Sequence, residues 1–468
     1  MEENRIRLRW SGLRRFFAAF VNQANLLGHT FREGDGRTRL SFVLMGFGNL
    51  VRGQVAKGLY YFLSEAVFVV YMVLFGARSL VGIVTLGTKT QYIEAIPGQV
   101  PKVIRGDNSM LMLLYGVATV LLVVWFIATY FWNISSAMQT QRAVENGEVL
   151  PGLRTEAREY LDAKFHVTLM ILPVMGLLLF TVLPLLFMIL IAFTNYDSSH
   201  QPPGSLFHWT GLYTFKALFS NSGVLGGTFW PVLGWTITWA VIATASNYVL
   251  GMLLAILINR KGVRFKGLWR TVFVMSIAIP QFVSLLLMRN MLDDFGPING
   301  VLQHWGLTSK FIPFLTNATF ARISVLVVNL WVGIPYSMLI TSGILLSIPK
   351  ELYEAAAIDG ASPFRMWTKI ILPYVVFVTG PYLITQFIGN INNFNVIYLL
   401  TGGGPSGLTY YQAGKTDLLV TWLYKLTVNT RDYSYASAIG ICVFIISAIL
   451  SLVAYRNTKS YKKEETFQ

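Results

Sequence analysis

The chain has 468 residues, 54% hydrophobic and only 13% charged, with a net charge of +15 and a mean hydropathy of +0.55. That is too apolar for a soluble domain of this length, and the composition predicts an all-α polytopic membrane protein. The single cysteine, Cys442, excludes disulfides and cysteine metal clusters.

The first 38 residues set Arg5, Arg7, Arg9, Arg14 and Arg15 among Trp10, Phe16, Phe17 and Phe20. They read either as a basic amphipathic segment on the anionic inner leaflet or as a solvated tail that fixes orientation. No short apolar core with a small-residue cleavage site is present, so no removable signal peptide is expected. The apolar stretch at 40–50 is too short to span and is broken by Gly46 and Gly48, so it is expected to be interfacial or re-entrant.

A hydrocarbon core about 30 Å thick needs about 20 apolar residues per helix. Segments approaching or exceeding that length run over 59–77, 111–131, 167–193, 231–258, 268–288, 323–346, 374–398 and 436–455. About eight transmembrane helices follow: a basic segment 1–58, a two-span accessory module 59–131, a linker 132–166, a six-span core 167–455 and a tail 456–468. The linker mixes acidic and basic residues, which predicts a surface helix from Arg154 to Lys164. With the N-terminus inside, the inward pieces hold 25 Lys and Arg against 11 in the outward loops. Both ends and the loop 347–373 are therefore expected in the cytoplasm. Topology anchoring accounts for the basic excess, and no nucleic-acid partner is expected.

Between two spans, residues 347–360 spell a short helix with its punctuation. Ser347 suits the N-cap and Pro349 the first turn. Glu351 and Glu354 favour the positive helix end, and Gly360 suits a left-handed stop. Ala355, Ala356 and Ala357 give propensity with little bulk, a slim face able to enter a groove closely. Ser362 and Pro363 then start a second helix that runs to Pro373, making a helix-Gly-helix elbow.

Asn329 lies in one span near Gly333 and Tyr336, and Asn390, Asn392 and Asn393 cluster in the next. Amides inside a membrane either line a wet cavity or join helices. As cavity lining they suit sugar hydroxyls, which need donors and acceptors together, while an aromatic face covers the apolar side of a pyranose. Gln281 and Ser284 are not distinguished from packing residues.

Glu354-Ala355-Ala356, three residues, Gly360, nine residues and Ile370-Ile371-Leu372-Pro373 resemble in full the signature of bacterial ABC importer membrane subunits. The segments 329–336, 390–394, 399–405 and 417–424 resemble the MalF-type permease subunit of maltose and maltodextrin importers, a likeness covering most of residues 165–455. The resemblance implies a transport subunit rather than an enzyme, in a bacterial cytoplasmic membrane. No cofactor is expected on this chain, and ATP and Mg belong to a partner ATPase. The implied partners are an ATPase homodimer, a second homologous MalG-like permease and an extracellular solute-binding protein. The implied cargo is maltose, maltodextrin or a related oligosaccharide such as a galacto-oligosaccharide. It assigns substrate contact to Asn329, Gly333, Tyr336, Asn390 and Asn393, and ATPase coupling to Glu351, Glu354, Ala355, Ala356, Asp359, Gly360 and Pro373. Two departures stand out: Gly389 replaces a phenylalanine of the family, and the outward segment 194–230 is too short for the large external domain of some members.

Other motifs carry less. Residues 410–416 imitate a phosphate loop, but Thr409 stands where its first glycine is required. The five histidines lack the i, i+4 spacing of a helical zinc site. Glu65 is the only carboxylate deep in a span, thin support for a proton relay in an ion-coupled carrier.

Overall fold

The computed structural model describes residues 27–457 apart from 96, 98, 99, 163, 222 and 261; the arginines and aromatics singled out between residues 5 and 20 lie outside the described residues. Seven described helices are long and apolar enough to cross a membrane: α3 (Val55–Thr85), α4 (Ser109–Glu145), α6 (Phe165–Ile191), α8 (Val224–Asn259), α12 (Ala318–Ser347), the rod Pro363–Thr401 and Tyr433–Arg456. A bent pair, α9 (Lys266–Ala278) and α10 (Gln281–Met291), which meet at 87°, makes an eighth span when the two are counted together. Pro280 stands at that break, where it cannot continue the hydrogen-bond ladder. The expected segments fall within these elements except 167–193, whose helix ends two residues sooner at Ile191, and most helices run longer because several extend past their apolar stretches. The fold is all-α apart from one antiparallel pair among the described residues, β1 (Tyr92–Glu94) and β2 (Lys102–Ile104), which the sequence reading did not anticipate.

Two compact units are resolved, one reaching Leu190 together with His200–His208, the other formed by Ile191–Ser199 and the chain from Trp209. The expected cut near residue 165 falls inside the first unit, which takes in α6 as far as Leu190.

In the first unit the stretch around 40–50 folds as two short helices, α1 (Gly36–Leu40) and α2 (Phe47–Val51), not as a span. Polar side chains knot it to α3 and α4. Asn133 of α4 accepts from the Gly46 N–H at 2.7 Å and donates to the Ser41 carbonyl at 2.9 Å. Asn49 donates to Gln54, Ser136 and Thr140, and Thr38 donates to Gln141 at 2.7 Å. Glu65, the conspicuous carboxylate of the first span, accepts the Met45 N–H at 2.7 Å. Asp35 caps α1 and meets Arg52 at 2.6 Å. Burial alone pushes its carboxyl up, but the Thr38 N–H and the Arg52 guanidinium outweigh that and leave it below the ordinary value. The linker helix expected from Arg154 appears as α5 (Leu153–Leu161).

The second unit packs α7 (Tyr213–Phe219), α8, α12 and the rod around two apolar clusters. One gathers Phe229, Trp422 and Ile439; the other gathers Trp239, Leu285 and Val325. Between α10 and α12 lies the short α11 (Pro297–His304).

Candidate functional site

After α12 the chain turns into α13 (Lys350–Ile358). The N-cap is Pro349, extended at ψ 133°, rather than Ser347. Ser347 instead ends α12, with its hydroxyl turned back to the Ile344 carbonyl at 2.8 Å. The helix closes as expected: Gly360 sits at φ +71°, where a side chain would be strained, and the Ala361 N–H reaches the Ala356 carbonyl at 2.9 Å. Ser362 caps the next turn, Pro363–Met366, by accepting the Arg365 N–H at 3.3 Å. A wide turn over Trp367–Ile371 then leads without a break into α14 (Leu372–Ile391). The elbow's second helix is thus the start of the following span, not a separate piece before it.

Of the expected coupling residues only Ala356 is buried; Glu351, Glu354, Ala355, Asp359, Gly360 and Pro373 are all exposed. Leu352, Ile358 and Phe364 are exposed too, the last two by 86% and 73%. The elbow therefore presents acidic, small and apolar groups together, a composition suited to a protein groove rather than to water alone.

The rod breaks at Asn392 and Asn393, and α15 (Phe394–Thr401) restarts it. The expected amides gather at this break and along the facing helices. Asn390 donates to Thr244 at 3.0 Å, and Asn393 caps α15 through the Val396 N–H while leaning towards Asn390 at 3.4 Å. Asn329 is 2% exposed and its Nδ2 has no partner. Tyr336, on the same helix, is half exposed. Gly333 is required by close approach: a Cβ there would lie 2.0 Å from the Asn247 amide nitrogen.

Asn392 departs from the group and lines a separate cavity of about 390 Å³ with Ser447 and Ser451. Sequence reasoning missed Thr244 and Asn247 of α8. Asn247 is 6% exposed and its Oδ1 also lacks a partner. A polar residue recurring inside an apolar span was the available signal. Gln281, at the break of the eighth span, accepts from Asn395 of α15 at 3.1 Å, which ties the two broken helices together. A cavity of about 810 Å³ beside α9, α10 and α12 is walled by Val272, Phe273, Met288, Val327 and Trp331 and contains none of the amides. Its chemistry suits lipid tails, not hydroxyls.

These pieces form no nucleophile–base pair, and no group of three or more metal-ligating side chains occurs among the described residues. The signature of the family described as binding-protein-dependent transport system inner membrane component matches residues 247–463. The chain is 36% identical over 426 residues to the galactooligosaccharides transport system permease protein GanP of Bacillus subtilis, covering 90% of this chain and 97% of that one. It is 33% identical over 445 residues to the maltodextrin transport system permease protein MalC of Streptococcus pneumoniae, covering 93% and 98%. Its fold resembles that of a bacterial alginate ABC transporter crystallised with an alginate pentasaccharide-bound periplasmic protein, with TM-score 0.53, 24% identity, and coverage of 65% of this chain and 99% of that one. An exposed elbow between spans, a broken apolar rod and full-length similarity to such permeases lead to one assignment. This chain belongs to the binding-protein-dependent transport system inner membrane component family, as a multi-pass, non-catalytic permease subunit of an ABC importer in the cytoplasmic membrane.

Proposed function

We propose that the chain imports a neutral gluco- or galacto-oligosaccharide, of the maltodextrin or galacto-oligosaccharide kind, delivered by an extracellular solute-binding protein. It works beside a second homologous permease and an ATPase pair that carries ATP and Mg, with both termini in the cytoplasm. Asn329, Gly333, Tyr336, Asn390 and Asn393 meet the sugar; Glu351, Glu354, Ala355, Ala356, Asp359, Gly360 and Pro373 shape the elbow that the ATPase grips. Residues 59–131 serve as an accessory module to the core.

The observation that carries this reading is the continuity of the rod from Pro363 to Ile391, up to the break at Asn392. One end is the elbow, and Asn390 lies about 40 Å along it at a rise of about 1.5 Å per residue. A push on the elbow therefore displaces the amides directly, and nucleotide state is coupled to the face towards which the cavity opens, in both directions. The names of GanP and MalC support the sugar class.

The test is uptake by proteoliposomes holding both permeases and the ATPase, supplied with the cargo-loaded binding protein. ATP should drive accumulation of the oligosaccharide, and Tyr336→Ala should lower it roughly tenfold while the complex assembles normally. Accumulation driven by an ion gradient without ATP would sink the proposal.

A further inference from the structure

Arg270 is a charge in the second turn of α9, partly buried against α8, where it calls for a partner or a task. Its guanidinium is held by an amide: an Nη donates to Oδ1 of Asn259, the last residue of α8, while its buried Nε has no partner. Asn259 is a hub. Its Nδ2 reaches the Ala255 carbonyl at 2.7 Å and the Ser342 hydroxyl at 3.2 Å, and its own carbonyl accepts from Lys266 at 2.9 Å. Ser342 stands in the last turns of α12, the helix that feeds the elbow. The first half of the broken span, α9, is thus bound through Arg270 to the helix end that must move with the elbow. The second half, α10, is bound through Gln281 to Asn395, two residues beyond Asn393.

We propose that Arg270 is a positioning residue which makes the broken span α9–α10 a second transmission element beside the rod. It ties the elbow's feeder helix to α9, and the 87° break passes that displacement through Gln281 to the helix capped by Asn393. This rests on the ATP-driven importer reading above. A single guanidinium suits the task because it offers several donors in a rigid fork, so it can change amide partners.

The experiment measures uptake and ATP hydrolysis together in the reconstituted full complex with saturating cargo-loaded binding protein. Arg270→Met is expected to assemble and to hydrolyse ATP at close to the normal rate while moving roughly five times less sugar per ATP, or lower still. Arg270→Lys, which keeps a donor for Asn259, should recover part of that ratio. Adding Asn259→Ala to Arg270→Met should lower it no further, since the two act through one bond. If Arg270→Met does not assemble, Gln281→Leu at the other end must lower the same ratio. A ratio equal to wild type in the assembled variants, or uptake and hydrolysis falling in proportion, overturns the role of Arg270 alone. A wild-type complex with no ATP-driven uptake overturns this role and the importer reading together.

Discussion

Two groups of buried amides in this chain have opposite fates. In the first unit, Asn133, Gln141 and Asn49 spend their donors on backbone and neighbouring side chains, leaving only Asn49 Oδ1 open among them. In the second unit, Asn247 and Asn329 each keep a buried atom without a partner. An unpaired amide atom away from water costs about 1–3 kcal/mol, so the group with one open atom among three residues reads as structure, and the pair in which each residue keeps one open reads as a place kept for something else. The knot at residues 35–58 holds a non-spanning segment in place. The seam along α8 and α12 is, on the reading proposed above, kept for hydroxyls.

The contrast can be broken most forcefully at Asn133. Replacing it with leucine strips partners from the Gly46 N–H and the Ser41 carbonyl at once, and should cost about 2–5 kcal/mol. Thermal unfolding of the detergent-solubilised chain should show the loss, with uptake per assembled complex unchanged. The near-isosteric Asn329→Leu should do the reverse, leaving the melting curve in place and lowering uptake about tenfold, since the donor removed with the amide has no partner. Early melting with normal transport would place the seam with the knot. Gly333→Ala should have a smaller effect, a few-fold in uptake, because the new methyl forces the Asn247 amide aside.

The smallest effect is expected from acid. The Asp35 carboxyl is lowered in the folded chain, so its contribution is fully present above the unfolded value near 4 and is lost as pH falls through the folded value. Melting measured downward from pH 5 should fall less steeply in Asp35→Asn than in the parent.

The elements easiest to read in the sequence were those governed by local chemistry. Long apolar runs marked the spans and Gly360 marked the stop of the elbow, whereas the break at Asn392 and Asn393 lay unmarked inside a segment read as one span, 374–398. The knot was not legible because Asn133 meets Ser41 and Gly46 across 92 and 87 positions, and no local pattern encodes such a pairing. The cap exchange between Ser347 and Pro349 turned on whether α12 ran on to Ser347, which depends on its packing and not on cap preference. The Arg270 bond was hidden for the same reason: Asn259 is a neighbour only after α8 and α9 fold back on each other.

The bare Ile358 and Phe364 of the elbow bear on how such a subunit is made and kept. On the reading proposed above, a chain inserted without its ATPase displays two greasy side chains to the cell interior, and these are the sort of handle that chaperones and membrane proteases seize. On that reading, synthesis in step with the ATPase protects the chain. In a pulse-chase experiment the orphan chain should disappear several times faster than the assembled one, and Ile358→Ser with Phe364→Ser should slow that loss.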